Sequence, residues 1–123
     1  MNWFAQVDIY CERVTTAYWA EPFNALSNLS FVFAAIWVWA ATRNHPTDAT
    51  GKMLIGLGGL IGVGSYLFHT HATTWAELTD TVPIWAFVGA YVLAVVRRMH
   101  GKTIAPGLAL GFGGVVGLAL GMQ

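Results

Sequence analysis

Three stretches of this chain, residues 23–42, 53–70 and 103–123, carry no Asp, Glu, Lys or Arg over 20, 18 and 21 residues. A helix needs about 20 predominantly apolar residues to cross the hydrocarbon core of a bilayer. A fourth uncharged stretch, 81–96, has 16 residues and reaches spanning length if it starts near Ala76. The pattern predicts four transmembrane helices, at about 22–42, 52–70, 78–97 and 103–123. In lipid only helices and closed barrels satisfy their own backbone, and nothing here alternates with period 2. The expected fold is therefore all-α: one polytopic helical bundle occupying 1–123. Charged residues make up 10% of the chain and mean hydropathy is +0.57, too few charges to cover a water-soluble domain. Six basic residues balance six acidic ones, which leaves no basic field for nucleic acid. The single cysteine, Cys11, excludes an internal disulfide framework.

Orientation follows from the basic residues. Arg43 and Lys52 lie between the first two spans, and Arg97, Arg98 and Lys102 lie between the last two. Only Arg13 lies on the other side, so the positive-inside rule places the N-terminus outside. Asp8, Glu12, Glu21, Glu77 and Asp80 all fall on that outer side, and Asp48 alone does not. Residues 1–21 have no basic leader region and do not read as a signal peptide. They are rich in acids and in Trp and Tyr, which predicts an ordered interfacial segment with Trp3, Tyr10, Tyr18 and Trp19 at headgroup level.

Glycines recur at helix-packing spacing: Gly58-x-x-x-Gly62 in the second span, and Gly107-x-x-x-Gly111 and Gly113-x-x-x-Gly117-x-x-x-Gly121 in the fourth. Small residues so spaced let helices approach closely. Polar residues inside a span are costly and face the bundle interior. Here they gather at one level. Glu21, Asn24 and Asn28 share one face of the first span, with Ser27 beside them. Ser65 and His69 stand one turn apart on the second, and Asp80 opens the third. Each has a structural explanation taken alone. Asn24, Ser27 and Asn28 would serve as interhelical hydrogen-bond glue. Ser65 would bond a helix carbonyl, His69 would be a core histidine, and Asp80 would cap the third span ahead of Pro83. His71 points away from His69, at the interface, and His45 and His100 fall in solvated loops.

Three chemistries use such residues. A Ser65-His69-Asp80 triad would make serine the nucleophile, but the chain lacks a nucleophile elbow. A zinc site would take His69 as one ligand, while catalytic zinc needs three from protein. A bis-histidine haem lacks its second histidine within the spans.

Four ordered motifs carry a resemblance: Asp8-Ile9-Tyr10-Cys11-Glu12-Arg13, then Trp19-Ala20-Glu21-Pro22-Phe23-Asn24-Ala25-Leu26-Ser27-Asn28, then Gly62-Val63-Gly64-Ser65-Tyr66-Leu67-Phe68-His69, then Leu78-Thr79-Asp80-Thr81-Val82-Pro83-Ile84-Trp85. In this order and spacing the chain resembles the alkaline ceramidase family, within the seven-helix membrane hydrolases that include adiponectin-receptor-like proteins. The resemblance implies hydrolysis of the amide of ceramide-like lipids to a sphingoid base and a fatty acid. It implies a zinc held by His69, with Ser65 and Asp80 positioning the water and the transition state. It implies calcium near an acidic N-terminal segment, whose counterparts are Asp8, Glu12 and Glu21 with backbone carbonyls near Ile9 and Tyr10. Calcium suits such oxygen ligands.

The departure from the family is equally plain. The family completes its zinc site with His-x-x-x-His on the seventh helix, and no such pair occurs among His45, His69, His71 and His100. The expectation is thus a C-terminally truncated, four-helix portion of a seven-helix hydrolase, with one zinc ligand of three. The alternatives are a non-catalytic or receptor-like superfamily member, or a small structural membrane subunit.

Overall fold

A computed structural model of the chain describes residues 2–100. The fourth predicted span, with Gly107, Gly111, Gly113, Gly117 and Gly121, lies outside the described residues. Three helices follow in order: α1 (Pro22–Thr42), α2 (Ala49–His71) and α3 (Thr74–His100). Each is long and apolar enough to cross a membrane, and α1 alone extends about 32 Å at 1.5 Å per residue. The described residues contain no strand, only an isolated bridge between Gln6 and Thr73.

The chain divides into two units, Met1–Ile84 and Trp85–Gln123. In the second, the described part is the later turns of α3, where Phe87 and Tyr91 stack with ring planes 3° apart. The first unit holds the polar belt and is built as follows.

Pro22 opens α1, where its missing N–H costs nothing. The residue before it, Glu21, does not cap the helix with its side chain. Glu12 does so from a distance: its carboxylate accepts the N–H groups of Phe23 at 2.8 Å and Asn24 at 3.1 Å. A negative charge there also complements the helix dipole. Asp48 caps α2 by accepting the Gly51 N–H at 2.8 Å. α2 ends on Ala72 in the left-handed region, φ 46°, an unusual place for a residue with a Cβ.

Close approach between helices is decided by two glycines. A Cβ on Gly62 would lie 2.9 Å from Val32 N and 3.0 Å from Asn28 O on α1. A Cβ on Gly64 would overlap Thr79 O on α3. Gly58, the other half of the predicted packing pair, has no described atom within 4 Å of its Cβ position. Gly59 takes its place, facing Ala35 at 3.4 Å. Of the predicted pair, Gly62 thus meets a neighbouring helix among the described residues, with Gly59 beside it.

α3 starts at Thr74, four residues before the start predicted for the third span near 78. Asp80 therefore does not cap the helix, and Pro83 sits in its interior. Proline has no N–H to offer the carbonyl four residues back, which here is Thr79 O. That is the carbonyl that Gly64 makes room for.

The N-terminal segment is ordered across one end of this unit. Residues 3–7 run antiparallel to the α2–α3 turn, with Val7 N–H donating to Ala72 O at 2.8 Å, Thr74 N–H to Ala5 O at 3.1 Å and Trp75 N–H to Trp3 O at 3.1 Å. The large apolar side chains of α1, among them Phe33 and Trp37, face outward (68% and 77% exposed). The buried set is small and half polar: Arg13, Glu21, Ser65, His69, Thr70 and Thr73 sit with Ala25, Ile61, Phe68, Ala72 and Ala76. That is the inverse of a soluble core and suits a chain whose outer surface meets lipid.

Candidate active site

The polar residues scattered over the first 80 positions converge at one end of the first unit. They surround a cavity of about 500 Å³. Asn24 and Asn28 come from α1, Ser65 and His69 from α2, and Asp80 from α3. Tyr10 closes it from the N-terminal segment, and Phe31, Ile61 and Ile84 supply an apolar wall. The register of α2 explains the α2 pair: four residues apart, Ser65 and His69 lie one above the other.

His69 is 5% exposed and its Nδ1 lies 2.5 Å from Glu21 Oε2. A carboxylate can only accept, so Nδ1 carries a proton, and in the neutral imidazole the lone pair is then on Nε2. No hydrogen bond among the described residues engages Nε2. Glu21, 2% exposed, takes Arg13 Nε on its other oxygen. Ser65 donates its hydroxyl to Asp80 Oδ1. The two pairs are separate: the histidine answers to Glu21, and the serine answers to Asp80. A Ser65-His69-Asp80 relay is not formed, because no serine-to-histidine bond joins the pairs.

Tyr10 sits edge-on to the His69 ring, with centroids 4.8 Å apart. Burial raises its phenol above the ordinary tyrosine range, and the nearby carboxylates Asp80 and Glu21 push the same way. It is therefore a neutral donor at the cavity mouth across the physiological range.

The belt residues of α1 bond within their own helix. Ser27 Oγ and Asn28 Nδ2 both donate to Asn24 O, at 3.0 and 2.9 Å. They do not glue α1 to another described helix, and Ser27 is exposed. His71 is exposed too, with its ring between those of Tyr18 and Trp75 at 5.4 and 5.2 Å.

Whether the residues present fit a metal has two answers. For zinc, His69 has one feature of a ligand: a carboxylate engages one ring nitrogen of a residue that lines the cavity. The described residues provide that one nitrogen and no cluster of three metal-binding side chains. For calcium, Asp8, Glu12 and Glu21 are not brought together as a cage. Asp8 is exposed, Glu12 is spent on the α1 N-terminus, and Glu21 is spent on Arg13 and His69.

Two contributors lie within the first motif, which assigned their side chains no role in the site. Arg13 is 6% exposed, and it was legible only as the single basic residue on the acidic side. Tyr10 reads from sequence as one interfacial aromatic among several.

Residues 5–120 match the Ceramidase family. The chain belongs to the ceramidase family. It is 30% identical over 122 residues to alkaline ceramidase YPC1 of Saccharomyces cerevisiae. That match covers 90% of this chain and 38% of the yeast protein, so the chain spans about two fifths of the relative's length. No solved structure matches the chain. Each of the four ordered sequence motifs builds or borders the cavity, through Tyr10, Asn24, Ser65, His69 and Asp80 among others.

Proposed function

We propose that the complete protein is a membrane-embedded, zinc-dependent amide hydrolase of ceramide-like lipids, and that these residues form its outer half-site. One observation carries the reading: in a ceramidase-family chain, a carboxylate-fixed histidine and a serine–aspartate pair face a single cavity with an apolar wall. His69 would hold zinc through Nε2, with further ligands from outside the described residues. Zinc, when bound, supplies Lewis acidity toward a carbonyl and lowers the pKa of water.

The chain's own groups do the rest. Asp80 holds Ser65 by one oxygen and has a second to take a proton from water and return it to the departing amine. The Ser65 hydroxyl, its proton committed to Asp80, accepts a hydrogen bond from that water and fixes its position. Tyr10, Asn24 and Asn28 offer donors and acceptors to the polar head of the lipid. Phe31, Ile61 and Ile84 take its first methylenes. The site faces the non-cytoplasmic side, as the basic residues imply.

The test is ceramide turnover and zinc content of the full-length protein. His69→Ala should lose its zinc and about 10³-fold or more in turnover. Asp80→Asn should keep zinc and lose about 10²–10⁴-fold in kcat. Unchanged zinc and turnover in His69→Ala would remove the assignment.

A further inference from the structure

Beside the reacting groups lies a second convergence, which shares only the Glu21 carboxylate with them. Three oxygen-bearing groups from three parts of the fold point at one place. They are the Glu21 carboxylate at the start of α1, the His69 carbonyl in the last turn of α2, and the Thr15 carbonyl of the N-terminal segment. Carbonyls in a helix's last turn lack partners from their own helix and carry the negative end of its dipole. A buried carboxylate and a helix C-terminus together make a site that needs a positive charge.

That charge is Arg13. Its Nε donates to Glu21, its Nη2 to His69 O at 2.9 Å and its Nη1 to Thr15 O at 3.3 Å. The side chains of Arg13 and Glu21 are 3% and 2% exposed. The guanidinium is planar, permanently charged and forked, so it serves three acceptors at fixed angles. Resemblance to the alkaline ceramidases leads to the expectation of calcium among Asp8, Glu12 and Glu21. The carboxylate at the centre of that expectation is instead neutralised by a residue of the chain itself.

We propose that Arg13 is the resident cation of this site: it joins the N-terminal segment to α1 and α2, aims Glu21 at His69, and makes the fold independent of calcium. Arg13 acts through Glu21 and is a positioning residue. Only the link to His69 as a zinc ligand rests on the hydrolase reading.

The experiment uses the full-length protein in detergent or nanodiscs. Thermal midpoints of the wild type are measured in chelator and in millimolar calcium, and should agree within about 1 °C. A calcium-dependent rise of about 4 °C or more would overturn the proposal, since a filled divalent site stabilises by mass action. Arg13→Ala should lower the midpoint by about 5 °C or more, and Arg13→Lys should recover part of the loss, keeping charge but not the fork. An Arg13→Ala midpoint equal to wild type would also overturn it. If Arg13→Ala does not fold, the wild-type calcium comparison and Arg13→Lys still decide. Zinc affinity, read by competition with a chromogenic chelator, should fall about 10-fold in Arg13→Lys, a change that loss of general stability would not produce. The midpoints decide the question even if no ceramide is hydrolysed, so failure of this proposal and failure of the hydrolase reading are distinguishable.

Discussion

Glu21 shows what a single residue contributes here. One oxygen takes Arg13, and the other meets the His69 ring and accepts from Asn24 Nδ2 at 3.5 Å. Glu21→Gln keeps the shape but replaces one acceptor by a donor and removes the charge that orients the imidazole. Zinc affinity should fall about 10–100-fold, measured by chelator competition, while the helices stay assembled. A Glu21→Gln protein with wild-type zinc affinity would show that His69 needs no carboxylate partner. Tyr10 makes a pH-dependent case. Its phenol is raised in the folded protein, so the fold favours the neutral form. The stability this contributes is complete below the ordinary tyrosine range and is lost as pH rises through the raised value. Tyr10→Phe should therefore flatten the alkaline decline in thermal midpoint relative to wild type. An identical decline in both proteins would exclude Tyr10 as its cause.

At the level of helices, close packing depends on which glycines face a neighbour. Gly64→Ala drives a methyl into a backbone carbonyl of α3, which cannot retreat as a flexible side chain would. It should separate α2 from α3 at the point where Ser65 reaches Asp80, destabilise by about 2–3 kcal/mol or more, and abolish turnover. Gly58→Ala meets no described atom and should be neutral, or stabilising by up to about 1 kcal/mol through helix propensity. Comparing thermal midpoints of the two variants checks the register of α2 directly. If Gly58→Ala is the damaging one, Gly58 packs against a neighbour beyond the described residues or the helix is rotated from the described packing. Pro83 belongs to the same element-scale arrangement. Inside a helix it is costly, but here the carbonyl it leaves unbonded lies against Gly64.

For the molecule as a whole, the question is which face of the membrane holds the site. Cys11 is exposed, is the one cysteine of these 123 residues, and lies in the segment laid over the site. A membrane-impermeant thiol reagent applied to intact cells or right-side-out vesicles should label Cys11 without permeabilisation. Labelling only after permeabilisation would place the N-terminus and the cavity on the cytoplasmic side. Burial in the first unit follows the same membrane logic. About half of the few buried side chains among the described residues are polar, and the large aromatics of α1 face outward. Lipid thus solvates the apolar surface, and the polar groups are what the bundle hides from it.

The sequence by itself determined the three described spans, the class of fold and the level of the polar belt. Those follow from one-dimensional quantities: lengths without charge and the 3.6-residue period. α1 begins at Pro22 and ends at Thr42, the bounds predicted for the first span. Ser65, His69 and Asp80 were likewise legible, because polar residues in a span stand out against their neighbours. The tertiary structure alone decided who bonds whom. Glu21 and His69 lie 48 residues apart, and Arg13 reaches the His69 carbonyl over 56. No spacing rule relates such positions, since only the packing of helices through Gly62 and Gly64 brings them together. The same holds for Glu12, which reads as a metal-binding acid in sequence and caps α1 in space. A carboxylate's chemistry is set by the donors around it, and in this chain those donors come from the fold.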